Sequence, residues 1–159
     1  MAHDEWWTSD KDYEALCKWS GLVPDIDVSA NARNTRVKDN FITKEEDALL
    51  TKWNKNGAKV AFMNPQNSEL KLMLKMALRM WKDENMSILM FIPINVIGRQ
   101  HFNPYWKLMV SGVIKMEVDW KPWLPRPQFL EDGVVNTQGN RNDYMALVLR
   151  KREWEKLDE

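Results

Sequence analysis

The sequence predicts an α/β fold, a mostly parallel central sheet flanked by helices. Three stretches carry that expectation. Val60-Ala61-Phe62-Met63 is a short apolar run that ends abruptly in Asn64-Pro65. Leu70, Met73, Leu74, Ala77, Leu78 and Trp81 then recur with the period of one helix face. Ser87 to Pro93 is a second apolar run without alternation, as in a strand buried on both faces. A strand, a helix and a strand within about thirty residues form a right-handed βαβ unit. The turn Asn64-Pro65-Gln66-Asn67 then falls at the carboxyl end of the first strand, the edge where open α/β sheets bind their ligands.

Upstream, Thr8 or Ser9 caps a helix with Asp10 and Asp12 at its positive end. Tyr13, Leu16, Cys17 and Ser20 form its inward stripe, and Gly21 stops it. Leu22 to Val28 alternates as a strand, with Asp25 and Asp27 on one side and Ile26 and Val28 on the other. An acid there either accepts hydrogen bonds from a bound cofactor or caps the segment after Ser29. Residues 29–59 are polar and read as short helices or loops, with Phe41-Ile42 extended. Thr43 to Glu46 has capping-box spacing, which turns Leu49, Leu50 and Trp53 inward.

Downstream, Asn95 to Trp106 is a polar and aromatic loop, either a substrate-facing insertion or plain surface. Val113 to Trp120 alternates as a strand, and residues 121–143, rich in Pro, Gly and Asn, read as a long loop. Tyr144 to Leu149 is a final strand before a charged tail. No repeat divides the chain, so residues 1–159 are expected to form one domain.

Composition narrows the chemistry. Nine Trp and ten Met are many for this length, and most are expected in the core, with one or two lining a pocket. Twenty-three basic residues balance twenty-three acidic ones, which argues against a non-specific nucleic-acid coat but not against a local basic patch. A single cysteine, Cys17, leaves no disulfide and no thiolate metal site, and two histidines leave no His-rich centre, so no metal is expected. The first residues are polar and acidic, and the run Ile88 to Ile97 is too short to cross a bilayer. The chain is therefore expected to be soluble and intracellular, without a membrane partner.

No Gly-rich phosphate loop, zinc spacing or Ser/His/Asp set stands out. What remains is a sheet with acids at an early strand end and Asn-Pro at a later one. Methyl transfer from S-adenosylmethionine to an exocyclic amine needs little more. An acid holds the cofactor, and two acceptors hold the amine N–H bonds so that the nitrogen lone pair faces the methyl group. An Asn side-chain oxygen and a carbonyl in a Pro-fixed turn provide both acceptors.

The order of motifs resembles that of the phage-type DNA N6-adenine methyltransferases (Dam-like). Trp6-Trp7-Thr8-Ser9 is similar to the family's Trp-aromatic-Thr-Pro, with Ser9 for Pro. Asp25-Ile26-Asp27-Val28-Ser29-Ala30-Asn31-Ala32 is similar to its Asp-Leu-Asp, small residues and Asn-Ala. Phe41-Ile42-Thr43, Asp47-Ala48-Leu49 and Trp53 follow its Thr, Asp-Gly-Leu and Trp, with Ala for Gly. Ile88 to Pro93 follows its apolar strand ending in Pro, and the likeness covers roughly residues 5–97. The resemblance implies a Rossmann-like S-adenosylmethionine-dependent methyltransferase fold. It also implies DNA as partner, double-stranded with the target base flipped out, in a phage or prokaryotic host.

On that resemblance Asn64 and Pro65 orient the amine, Asp27, Asp25, Asp47 and Thr8 hold S-adenosylmethionine, and Gln66, Asn67, Trp7 and Phe102 meet the base. The departure is at the turn: Gln66 and Asn67 stand where the family's Asn-Pro-Pro-Tyr has Pro and Tyr. A base stacked on an aromatic gains about 1–3 kcal/mol, so its loss costs roughly one to two powers of ten in binding. Trp7, Phe102, Tyr105 and Trp106 are the aromatics that can replace it. The alternative is a catalytically inactive protein of the same fold that binds DNA or protein. The oligomeric state is not legible.

Overall fold

The computed structural model describes residues 8–30, 33–110, 118–124, 127, 129–131, 134, 135 and 143–151. Helix α1 (Asp10–Ser20) starts where Ser9 accepts the Asp12 N–H at 3.1 Å. It ends at Gly21, whose φ of 73° puts the chain in the left-handed region and lets its N–H reach the Cys17 carbonyl at 2.8 Å. Of the two hydroxyls that could cap this helix, Ser9 does so, and Thr8 is left for another task.

Strands β1 (Ile26–Asp27), β2 (Val60–Met63) and β3 (Ser87–Pro93) pair in parallel, and helix α2 (Leu70–Asp83) connects the last two. A bridge from Phe41 to Asp27 confirms the extended piece at Phe41. Helix α3 (Asn103–Val110) leads to β4 (Val118–Trp123). A short hairpin, β5 (Leu130–Glu131) with β6 (Val134–Val135), precedes β7 (Tyr144–Leu149).

Strand β7 lies between β3 and β4 and is antiparallel to both, so the order is β1-β2-β3-β7-β4. The sheet is therefore mixed, with two parallel and two antiparallel pairings, rather than mostly parallel. The physical reason is that all six β7 residues are buried. A strand covered on both faces reads as an unbroken apolar run whichever way it points.

Side-chain alternation divides the core into two layers. Ala61, Met63, Ile88, Met90, Ile92, Met145, Leu147 and Leu149 pack with the α2 stripe on one face. Phe62, Leu89, Phe91, Tyr144, Ala146 and Val148 pack with Leu16 of α1 on the other. Ile26 and Val28 share the α2 face, which leaves Asp27 directed to the α1 side. The large aromatics anchor their polar atoms as they are buried. Trp53 Nε1 donates to Ala48 O at 2.8 Å, Trp81 Nε1 to Arg150 O at 2.6 Å, and the Tyr105 hydroxyl to Leu74 O at 2.5 Å.

Other expectations are corrected. Leu50 is 85% exposed rather than inward, because residues 44–51 form turns, with Asp47 at φ 60°, and not a helix. The reciprocal Thr43–Glu46 bonds do form, at 3.2 and 3.3 Å, but they close a turn. The stretch 95–106 is not a loop: it holds 3-10 turns at Ile94–Gly98 and Gln100–Phe102 and the start of α3. Nor is 121–143 one loop, since β4 runs to Trp123 and the β5–β6 hairpin follows. Residues 113–117 of the expected fourth strand lie outside the described residues. Among the described residues no helix is long and apolar enough to cross a membrane, and no group of acids, His and Cys could hold a metal.

Candidate active site

The chain leaves β2 at Met63, and two hydrogen bonds fix what comes next. The Asn64 N–H donates to Ser29 Oγ at 3.1 Å, and the Asn64 side-chain Nδ2 donates to Thr8 Oγ1 at 2.6 Å. Three segments remote in sequence thus meet at one point: the entry to α1, the exit of β1 and the exit of β2. With Nδ2 held by Thr8, the other end of the Asn64 amide, Oδ1, has no hydrogen-bond donor among the described residues. Pro65 is buried behind it, and the Gln66 carbonyl accepts the Glu69 N–H at 3.0 Å as the chain turns toward α2.

Asp27 stands next to this point, at the carboxyl end of β1. Oδ1 accepts the Ser29 N–H at 3.2 Å and Oδ2 the Arg36 N–H at 2.9 Å. The Asp27–Ser29 bond is an Asx turn, and among the described residues after Ser29 no helix begins that Asp27 could cap. Asp27 is 3% exposed. Burial pushes its carboxyl up from 3.8 to about 6, against the pull of the Arg36 and Ser29 N–H groups and the Arg36 charge. A carboxylate offers about four lone-pair positions, so two backbone bonds leave capacity for hydroxyl or amine donors.

Around Asp27 stand side chains that the motif reading did not single out. Phe62, the register partner of Asp27, packs edge-on against the Tyr13 ring at 5.2 Å. The Arg36 guanidinium lies 5.5 Å from the centre of that ring and pairs with Asp10. Its Nε is buried without a hydrogen-bond partner among the described residues. Burial, with a smaller contribution from Cys17, raises the Tyr13 hydroxyl well above its ordinary value, and burial raises the Cys17 thiol as well. Cys17 is thus a packed helix residue held as the thiol. Of these groups Ser29 was legible: Asp-x-Ser is the spacing of an Asx turn.

The remaining site expectations disperse. Both Asp25 oxygens accept N–H bonds, Oδ1 from Lys59 and Val60 and Oδ2 from Lys59, at 2.8–3.0 Å. Asp25 therefore ties down the amino end of β2, the edge opposite Asn64. Asp47 caps its own turn by accepting the Leu49 N–H at 2.9 Å. Phe102 is fully buried and stacks on Tyr105 at 5.2 Å, so neither ring offers a face to a base. Trp106 is half-exposed on α3. Gln66 is half-buried in the turn, and Asn67 opens a 3-10 turn that leads into α2. Trp7 lies outside the described residues.

A fixed acceptor at a strand end, beside a buried carboxylate with spare acceptor capacity, suits binding and orienting an amine rather than proton transfer by histidine. Compared with known proteins, the chain matches the family model described as DNA N-6-adenine-methyltransferase (Dam) over residues 1–156. No curated protein and no solved structure matches it.

Proposed function

The chain belongs to the DNA N-6-adenine-methyltransferase (Dam) family, and from that premise we propose that it methylates the N6 amine of adenine in DNA with S-adenosylmethionine as donor. The observation that carries this reading is the Thr8–Asn64 bond at 2.6 Å, which presents Asn64 Oδ1 as an acceptor at the carboxyl edge of the sheet. Asn64 Oδ1 and the Pro65 carbonyl take the two N–H bonds of the target amine. Held in this way, the nitrogen is drawn out of conjugation with the ring and its lone pair is directed outward. The cofactor, when bound, would supply a methyl group on a sulfonium sulfur that leaves as a neutral thioether, and the methylated amine would release one N–H proton to solvent.

Asp27 is the residue that best fits the cofactor. It is buried at the strand end with acceptor positions left over, and the Arg36 Nε–H beside it is a donor without a partner among the described residues. Asp25 and Asp47 act as caps, and Thr8 acts through Asn64. The target base must leave the duplex to reach this turn, as in other enzymes that act on a base atom. Gln66 and Asn67 hold its edge by hydrogen bonds in place of an aromatic face. The resemblance to phage enzymes supports a phage or prokaryotic host setting.

Labelled methyl from S-adenosylmethionine is expected to enter duplex DNA with wild-type protein and not with Asn64→Ala. Cofactor is expected to raise the melting temperature of both, because Asn64 does not hold it. Cofactor stabilisation without incorporation into any DNA would overturn the enzymatic reading and leave a binding protein on the same fold.

A further inference from the structure

A cleft of about 350 Å³ opens between the first turn of α2 and the exit of β3. It lies on the same edge of the sheet as Asn64, because β2 and β3 run in parallel and in register. Leu70 and Pro93 are among its apolar walls, Asn95 is a polar one, and Lys71, Arg99 and His101 line it as well. Among the described residues no carboxylate lines it.

Elsewhere, several described cations are paired: Arg36 with Asp10, Lys52 with Glu84, Lys55 with Glu46, and Arg150 with Asp119. Neither Lys71 nor Arg99 has an ion-pair partner among the described residues. Their charges converge on His101, whose imidazole is held below its ordinary value by burial first and then by Lys71 and Arg99. The amino end of α2 points the same way, and Glu69 there makes no side-chain capping bond. Its first N–H groups and the helix dipole therefore add to the same positive field. A protein with zero net charge thus places two cations without an ion-pair partner among the described residues in one cleft beside its candidate site.

We propose that this cleft seats a phosphodiester of the DNA strand that carries the target base. Lys71 and Arg99 are its charged contacts, and the His101 ring N–H donates a further hydrogen bond. The proposal rests on the DNA reading above and adds to it the residues that position the strand. Arg99 suits the role as a two-pronged donor to phosphate oxygens, and Lys71 as a point charge.

The test is binding of the full chain to a fluorescein-labelled, adenine-containing duplex at salt concentrations from about 50 to 200 mM. Lys71→Ala and Arg99→Ala are compared with Lys18→Ala, an exposed cation on α1 away from the cleft. Each cleft variant is expected to lower the slope of log affinity against log salt by about 0.9. Arg99→Ala is expected to weaken binding roughly tenfold. Lys18→Ala changes neither, and all three variants keep the wild-type melting temperature.

If wild type binds DNA and the cleft variants bind it with unchanged slope, the cleft proposal falls and the DNA reading stands. Wild type that binds no duplex overturns both. Inorganic phosphate provides a parallel arm, read by melting temperature. Phosphate stabilisation lost in the cleft variants, without DNA binding by wild type, would assign the cleft to a small free phosphate and overturn the strand-positioning role.

Discussion

The Asp27 carboxyl is almost closed off from water, and its pKa is raised by that burial from 3.8 to about 6. Between these values the folded chain holds a proton that the unfolded chain has released. Stability from this group is therefore fully present below about pH 4 and is lost as pH rises through about 6. Two pH units of displacement correspond to roughly 3 kcal/mol. Asp27→Asn removes this dependence, at a pH-independent cost for the acceptor it loses toward Ser29 or Arg36. Urea midpoints at acid and neutral pH measure the difference: wild type is expected to lose stability relative to Asp27→Asn as pH rises. Parallel curves would show that the carboxylate is solvated.

Thr8 has no such charge, and its effect is positional. Thr8→Val keeps the shape and removes the acceptor for Asn64 Nδ2, which frees the amide to rotate. Turnover is expected to fall roughly tenfold to a hundredfold with cofactor affinity unchanged, and Thr8→Ser is expected to restore it. An equal loss in the Val and Ser variants would point to packing of the Thr8 methyl instead.

At the scale of elements, α1 and β1 hold the site because their sequences end them where they do. Gly21 stops α1 in the left-handed region, with open space where a Cβ would stand. Gly21→Ala should therefore cost about 1 kcal/mol through backbone strain alone, read from urea unfolding. Leu16 is fully buried under the sheet, and Leu16→Ala should cost about 2–5 kcal/mol. It should also loosen Thr8, two residues ahead of α1, so activity is expected to be lost before the fold is. These elements were legible because cap, apolar stripe and stop agree within one short stretch. Helix α3 was not, although Asn103-Pro104 is a helix-start signal: proline needs no N–H in a first turn. Its aromatics drew the eye to a binding loop, and the structure puts Phe102 and Tyr105 into the core instead.

At the scale of the molecule, the parallel half of the sheet could be read and the antiparallel half could not. The run from Val60 to Pro93 specifies a strand, a helix and a strand by period alone. Which neighbour β7 chooses depends on where a long connection returns, and a six-residue apolar run holds no record of that. The same limit applied to the acids. Asp25 and Asp27 differ by two positions in an alternating stretch, yet one fastens the amino end of β2 and the other faces the site. Only the short length of β1, two residues, separates their roles. The Asn64-Pro65 turn was legible as a candidate site because polar groups follow a buried strand there. That Thr8 and Ser29 would both bond Asn64 was not, since they arrive from other segments.

If Asn64 and Pro65 hold an adenine amine for methylation, the identity of the product reveals it. Duplex DNA lacking methylation is incubated with the protein and S-adenosylmethionine, digested to nucleosides and analysed by mass spectrometry. N6-methyldeoxyadenosine is expected with wild type, and its loss with Asn64→Ala. Methylation on cytosine, or N6-methyldeoxyadenosine undiminished in Asn64→Ala, would contradict that reading.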